Sequence, residues 1–371
     1  MSARRVVVKV GTSTLVDAEG RLDRAFIDDL AAQMAQLRAV SCEGILVSSG
    51  AIGAGRERLG GPGRAGDPGD LPFRQAAAAV GQVVLMEAYA RAFAARGCTA
   101  AQVLLTREDA SSRLRFLNAR NTFRALLTLG AVPVVNENDT VAVDEIRFGD
   151  NDTLAALVAV VVEADTLVML SDVDGLHPRR EDGTLEERPL AEVARIDAEI
   201  EAAACGPGTA LGTGGMRTKL EAARIASGAG IRTVIAAGRR PSVLAEIAAG
   251  HNPGTTFAPS AARLRGRRRW IAAGVRPRGC VVVNAGAARA LRSERFSLLA
   301  VGVTDVQGEF GGGDLVEVRD EAGRRLARGL TNYSAAEIRG IRGLRSDAIA
   351  AALGYHSYDE VIHRDNLVLT A

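Results

Sequence analysis

Several short apolar runs along this chain end the same way, in a cluster of small polar residues, and each gives way to a helical pattern. Val6 to Val10 runs into Gly11-Thr12-Ser13, and Gly44 to Val47 into Ser48-Ser49-Gly50-Ala51. Ala131 to Val135 runs into Asn136-Glu137-Asn138-Asp139, and Thr166 to Leu170 into Ser171-Asp172-Val173-Asp174. Short apolar runs bounded by turn residues read as buried strands. Between the first two, Phe26, Leu30, Met34 and Leu37 recur at spacings of four, four and three, the stripe of an amphipathic helix. Residues 75–96, 111–129, 152–164, 216–229 and 242–249 also read as helices, with Gly130 placed as a C-cap. Gln102 to Leu105 and Thr233 to Ala236 add two strands. Strands alternating with helices predict an α/β fold: an open, mostly parallel sheet sandwiched by helices. Ligands bind beyond the carboxyl ends of the strands in such sheets, so the polar clusters predict one edge that collects the chemistry. Gly53 and Gly55 read as a continuation of the loop after the second strand, and Gly60 to Pro72 as an exposed loop.

A length of 371 residues suggests two domains, and the pattern changes near residue 260. Residues 1–260 form the α/β domain. Arg263, Arg265, Arg267, Arg268 and Arg269 mark a basic linker over 261–277. From 278 to 371 short strand-like pieces (281–283, 298–301, 315–318) alternate with Gly308, Gly311, Gly312 and Gly313, which predicts a small β-rich domain with short helices near 334–339 and 346–353. Between Arg278 and His356, 11 arginines face 9 acidic residues, a net of +2, too balanced for the electrostatic footprint of an RNA-binding surface. A structural or regulatory role is favoured there. No apolar run is long enough for a membrane span, and no secretory h-region precedes the first strand, so a cytoplasmic protein is expected. Cys42, Cys98, Cys205 and Cys280 lack CxxC spacing and read as reduced thiols. The four histidines form no metal-ligand pattern.

The chain has 46 basic residues, of which only Lys9 and Lys219 are lysine. Arginine is a broad planar fork, whereas lysine is a compact ammonium that meets one phosphate oxygen as a point charge. Both lysines stand beside glycines, in Lys9-Val10-Gly11-Thr12-Ser13 and in Gly212-Thr213-Gly214-Gly215-Met216-Arg217-Thr218-Lys219. Gly11 lets the backbone approach a ligand closely, and glycines before a helix N-terminus with a lysine one turn inside make an anion cradle. Taken singly, each segment also reads as an ordinary strand-to-helix turn. Ser48 to Gly55 offers a tight anion or carboxylate nest. Asn136 to Asp139 and Gly149-Asp150-Asn151-Asp152 gather carboxylates and amides beyond what helix capping needs, a set suited to an amino-acid ligand. Ser171-Asp172-Val173-Asp174-Gly175-Leu176 can face a nucleotide.

With these segments in order, the chain resembles the glutamate 5-kinases of the amino-acid kinase superfamily. The stretches VVVKVGTS, SSGAIGAG, PVVNEND, GDND, SDVDGL and GTGGMRTK carry the likeness. The C-terminal region is similar to a PUA domain. The resemblance implies ATP-dependent phosphorylation of the L-glutamate γ-carboxylate, the first step of proline synthesis. It implies that Lys9 and Lys219 are catalytic and meet the phosphates, with Asp152 as a candidate for orienting both lysines. It further implies that Ser49, Asp139 and Asn151 bind glutamate. Ser171, Asp172, Thr213, Gly214, Gly215, Met216, Arg217 and Thr218 would line the nucleotide site. Mg²⁺, inhibition by proline and a homo-oligomer are also implied. Acetylglutamate kinase, aspartate kinase and an RNA-binding protein acting through the PUA-like domain are the competing readings.

Overall fold

The computed structural model describes residues 4–17, 19, 21–60, 71–106, 109, 113–141, 151–180, 184–204, 215–259, 277–292, 296–355 and 358–369. The chain forms two compact units, residues 1–110 with 117–262, and residues 263–371 with the short stretch 111–116. In the first unit the elements run β1 Arg4–Val10, α1 Thr12–Leu15, α2 Arg24–Ala39, β2 Cys42–Ser48, α3 Ala51–Arg58, α4 Leu71–Ala94, β3 Thr99–Leu105, α5 Arg113–Thr128 and β4 Ala131–Glu137. They continue with α6 Asn151–Val161, β5 Thr166–Ser171, β6 Glu192–Val193, α7 Ala198–Ala204, α8 Met216–Gly228, β7 Arg232–Ala237, α9 Val243–Ala248 and β8 Thr255–Phe257.

The strands build one eight-stranded sheet in the order β3-β4-β2-β1-β5-β7-β8-β6. Six run parallel, from β3 to β7. The parallel expectation fails only at one edge, where β8 pairs antiparallel with β7 and β6 runs with β8. Period-two alternation sorts the central strands between two layers. Val6, Val8 and Val10 of β1 join Leu46, Val134, Val168 and Val234 in a core with Phe26, Leu30 and Met34 of α2, Leu85 and Phe93 of α4, and Leu244 of α9. Val7 and Lys9 alternate to the opposite face, where α6 lies against β1 and packs on α8. Lys9 thus points away from the aliphatic core although every valine beside it is buried.

Two expectations are corrected here. Gly53 and Gly55 do not prolong a loop: they lie inside α3. A Cβ at Gly55 would stand 1.7 Å from the Ala77 carbonyl oxygen, and one at Gly81 only 1.8 Å from that of Ala51. Helices α3 and α4 are in backbone contact, and close packing, not loop freedom, is what these glycines supply. The long Ala-rich helix also begins earlier than residue 75, at Leu71, with Pro72 in its first turn where a missing N–H does no harm. Residues 61–70 of the expected loop, and the arginine run of 263–269, lie outside the described residues. No helix among the described residues is long and apolar enough to cross a membrane.

The second unit has a five-stranded sheet, β11 (Val303–Gly308), β9 (Gly279–Val283), β12 (Leu315–Asp320), β13 (Arg325–Leu330) and β15 (Leu367–Leu369) in spatial order, beside a two-stranded ladder of β10 (Leu298–Leu299) and β14 (Glu360–Ile362). Val281, Val283, Val316, Val318, Tyr333 and Ile338 centre its own core. Helix α10 (Ala285–Leu291) is capped by Asn284, and α11 (Ala335–Ile341) by a reciprocal Ser334–Glu337 capping box.

Candidate active site

Strand register decides which polar clusters meet. Val10 stands opposite Ser48 on β2 and Leu170 on β5. Gly11, Ser49 and Ser171 therefore leave the sheet side by side, at its carboxyl edge. Glu137 ends β4 at the same edge, one strand beyond β2.

Asp152, the second residue of α6, is fully buried in front of this edge. Its Oδ1 lies 2.6 Å from Lys9 Nζ. Its Oδ2 lies 3.4 Å from Lys219 Nζ and accepts from the Thr218 hydroxyl at 2.8 Å. Lys9 reaches the carboxylate from the sheet below. Thr218 and Lys219 reach it from the first turn of α8, whose Gly215 carbonyl also lies 2.9 Å from the Thr218 hydroxyl. The helix dipole favours a carboxylate at an N-terminus, and two ammonium groups complete its neutralisation. A Cβ on Gly11 would sit 3.5 Å from Lys9 Nζ, in ordinary contact, so Gly11 stands directly beside the ammonium. The two lysines that composition singles out, from strands and helices more than two hundred residues apart, converge on one carboxylate.

A second cluster lies alongside. The Asn151 amide NH₂ donates to the Ser48 carbonyl at 2.7 Å, to Ser49 Oγ at 3.0 Å and to Asn136 Oδ1 at 2.9 Å. Asn136 Oδ1 also accepts from the Glu137 backbone N–H at 2.9 Å, while its Nδ2 donates to Gln82 Oε1 at 2.8 Å. With Nδ2 of Asn151 committed, its Oδ1 is left as an acceptor, and Ser49, which accepts from Asn151, keeps its own proton to donate. One turn-pair further along α4, Tyr89 is fully buried and bonds Ser48 Oγ at 2.9 Å. Burial pushes its hydroxyl well above the ordinary tyrosine value, with the Ser48 bond opposing, so it stays a neutral donor.

The expected site residues fall into three groups. Lys9, Asp152, Thr218 and Lys219 share one cluster, and Ser49 and Asn151 share the other. Asn151 and Asp152 are successive residues, which joins the two. Among the described residues the amide network ends at Asn136 and Gln82. Asp139 stands half-buried in the turn after β4, outside it. Ser171 closes β5 and donates to the exposed Asp172 at 2.9 Å. Gly215, Met216 and Arg217 open α8, while Thr213 and Gly214 lie outside the described residues. Gln82 and Tyr89 are polar groups of this site that the sequence reading did not single out, and it gave Asn136 only within the Asn136 to Asp139 run. Gln82 is signalled only as an amide amid a run of alanine and valine in the helix, and Tyr89 gives no signal. Among the described residues no group of three or more His, Cys, Asp or Glu side chains is placed to hold a metal ion.

Comparison with known proteins identifies the family. Residues 4–237 match the amino acid kinase family and residues 279–353 the PUA domain. The chain is 51% identical to a glutamate 5-kinase of Anaeromyxobacter dehalogenans, covering 99% of this chain and 96% of that one. It is 51% identical to a glutamate 5-kinase of Carboxydothermus hydrogenoformans, covering 99% and 98%. Among solved structures, carbamate kinase from Giardia lamblia bound to AMP-PNP superposes with a TM-score of 0.51 at 19% identity, over 70% of this chain and 100% of that one, a likeness of fold. The chain belongs to the amino acid kinase family, among its glutamate 5-kinases, with a PUA domain in its second unit.

Proposed function

We propose that the chain transfers the γ-phosphoryl group of ATP to the γ-carboxylate of L-glutamate, giving glutamyl 5-phosphate and ADP, the first step of proline biosynthesis, in the cytoplasm. The observation that supports the chemistry best is the meeting of Lys9 and Lys219 at Asp152, next to an amide-lined pocket. A carboxylate is already a nucleophile at neutral pH. One of its oxygens forms the new bond to phosphorus as the bond to the ADP oxygen breaks, and no general base is needed. Catalysis then reduces to positioning and charge stabilisation. Each ammonium contacts Asp152 and would donate to phosphate oxygens, Lys9 from the sheet side and Lys219 from the nucleotide side. Asp152 serves as the positioning group that keeps both aimed at one point. Ser49 would donate to a glutamate carboxylate, and Asn151 Oδ1 and Asp139 would receive the ammonium. Ser171, Asp172 and the start of α8 would line the nucleotide.

Mg²⁺ belongs to the same reading. It keeps several waters and is held largely by substrate phosphates, so it would arrive with ATP. Inhibition by proline, a homo-oligomeric assembly and a division into a kinase domain to residue 260, a linker over 261–277 and a PUA domain from 278 complete the proposal. An ATP-dependent hydroxamate assay with glutamate, aspartate and acetylglutamate in parallel, with and without proline, tests it. Acyl phosphate formation with glutamate is expected; formation with acetylglutamate alone would contradict the assignment.

A further inference from the structure

Gln82 touches neither lysine and stands below the pocket, on α4. It is nine-tenths buried, at 9% exposure, in a helix otherwise lined there by alanine and valine. Its Oε1 accepts from Asn136 Nδ2 at 2.8 Å, while its Nε2 has no partner among the described residues. A buried amide with an unmatched donor is costly, and an apolar side chain of the same size would avoid that cost. What the amide offers in return is its oxygen, which Asn136 uses.

The polarity of the chain of amides shows what that use is. An amide group can be turned over, exchanging its donor and acceptor ends, unless its neighbours forbid it. Asn136 presents Oδ1 to two donors, the Glu137 backbone N–H and Asn151, and among the described residues its Nδ2 finds its acceptor in Gln82. Asn151 presents Nδ2 inward to three acceptors, the Ser48 carbonyl, Ser49 Oγ and Asn136 Oδ1, which leaves its Oδ1 as an acceptor. We propose that Gln82 is a positioning residue for the acceptor site: it holds Asn136 in place from behind, and so steadies one of the three acceptors that seat Asn151 in the polar face that glutamate meets. Helix α4 is pressed against α3 through Gly81, the residue before Gln82, so the anchor is referenced to the backbone that follows Ser49. This rests on the proposed role of Ser49 and Asn151 in holding glutamate.

The test is steady-state kinetics of the full chain as Gln82→Leu and Gln82→Met, with glutamate and ATP varied separately, together with Asn136→Ala, the Gln82→Leu/Asn136→Ala double variant, and thermal unfolding of each. Removing Gln82 deletes one unmatched donor and strands another on Asn136, so the Tm is expected to hold. KM for glutamate should rise about tenfold, the scale of one hydrogen bond, with KM for ATP unchanged. The double variant should be no weaker in kcat/KM for glutamate than Asn136→Ala alone, because both break the same relay. An unchanged KM for glutamate in a folded Gln82 variant, a parallel rise in both KM values, or multiplied losses in the double variant would overturn the proposal. Loss of cooperative unfolding in both single variants would assign Gln82 to the core and overturn it equally. If the unmodified chain does not phosphorylate glutamate, the functional reading fails. If it does, and the Gln82 variants match it, this inference alone fails.

Discussion

Lys9 and Lys219 serve one carboxylate from two unlike settings. Lys9 lies in a central strand, paired on both sides, with Val47 and Met169 as its registered neighbours. Its side chain is 2% exposed, and its contact with Asp152 is short. Lys219 lies one turn into α8, its side chain is 11% exposed, and its contact is 0.8 Å longer (3.4 against 2.6 Å). The sheet can place Lys9 only where the strand register puts it. The helix start places Lys219 on an element that also bears the glycines expected to wrap phosphate. One lysine reads as a fixed reference and the other as the partner brought to it, with Asp152 the joint between them.

Breaking the joint should have the largest effect. Asp152→Leu strands two ammonium groups, and removing a buried partner typically costs about 3–5 kcal/mol. A fall in Tm together with a collapse of kcat is expected; a variant as stable and active as the parent would remove Asp152 from the account. Next, Lys219→Ala should lower kcat by roughly 10²–10³, the range for loss of one transition-state donor. It should lower the Tm less than Lys9→Ala does, since Lys219 is the more exposed and the longer in its contact. Equal destabilisation of the two, read by thermal melts, would erase the contrast. Gly81→Ala probes the frame behind the site: a methyl group 1.8 Å from the Ala51 carbonyl oxygen forces α3 and α4 apart, at about 1–3 kcal/mol or more. A KM for glutamate that stays normal in that variant would detach the helix contact from the pocket.

Smaller effects are expected far from the joint. Ser334→Ala removes the cap of α11 in the second unit, worth about 1 kcal/mol, and should leave glutamate phosphorylation untouched. His177 gives the smallest. Its hydrogen bond to Asp174 raises its pKa above the ordinary value, the Glu186 carbonyl adding to the shift and partial burial opposing it. A raised folded value means that the contribution is complete below the unfolded pKa and is lost as pH climbs through the folded one. For so exposed a pair it should be under about 0.5 kcal/mol. His177→Gln should therefore flatten a shallow decline of Tm with rising pH; a steeper decline would reverse the sign.

The carboxyl edge was legible because strand runs and their polar ends are local in sequence. Lys9 and Lys219 were legible through composition, since arginine fills every other basic position. Asp152 is half legible: its place at a helix start is visible, but its two partners depend on tertiary register. Gly55 and Gly81 misled in opposite ways. The first read as loop and the second as unremarkable helix, yet each marks the same backbone contact, which no single-chain periodicity reveals. Gln82 and Tyr89 stayed hidden because a polar residue in a helix looks alike in sequence whether it faces solvent or a buried polar group. The reversed edge strands β8 and β6 are too short for alternation to register.

Phosphoryl transfer between the two lysines is tested most directly by the single-turnover rate of ADP formation in Lys9→Ala, measured by rapid quench with saturating ATP and glutamate on protein shown to unfold cooperatively. A fall of roughly 10²–10³ in that rate is the expected result. A rate near that of the unmodified chain would contradict it.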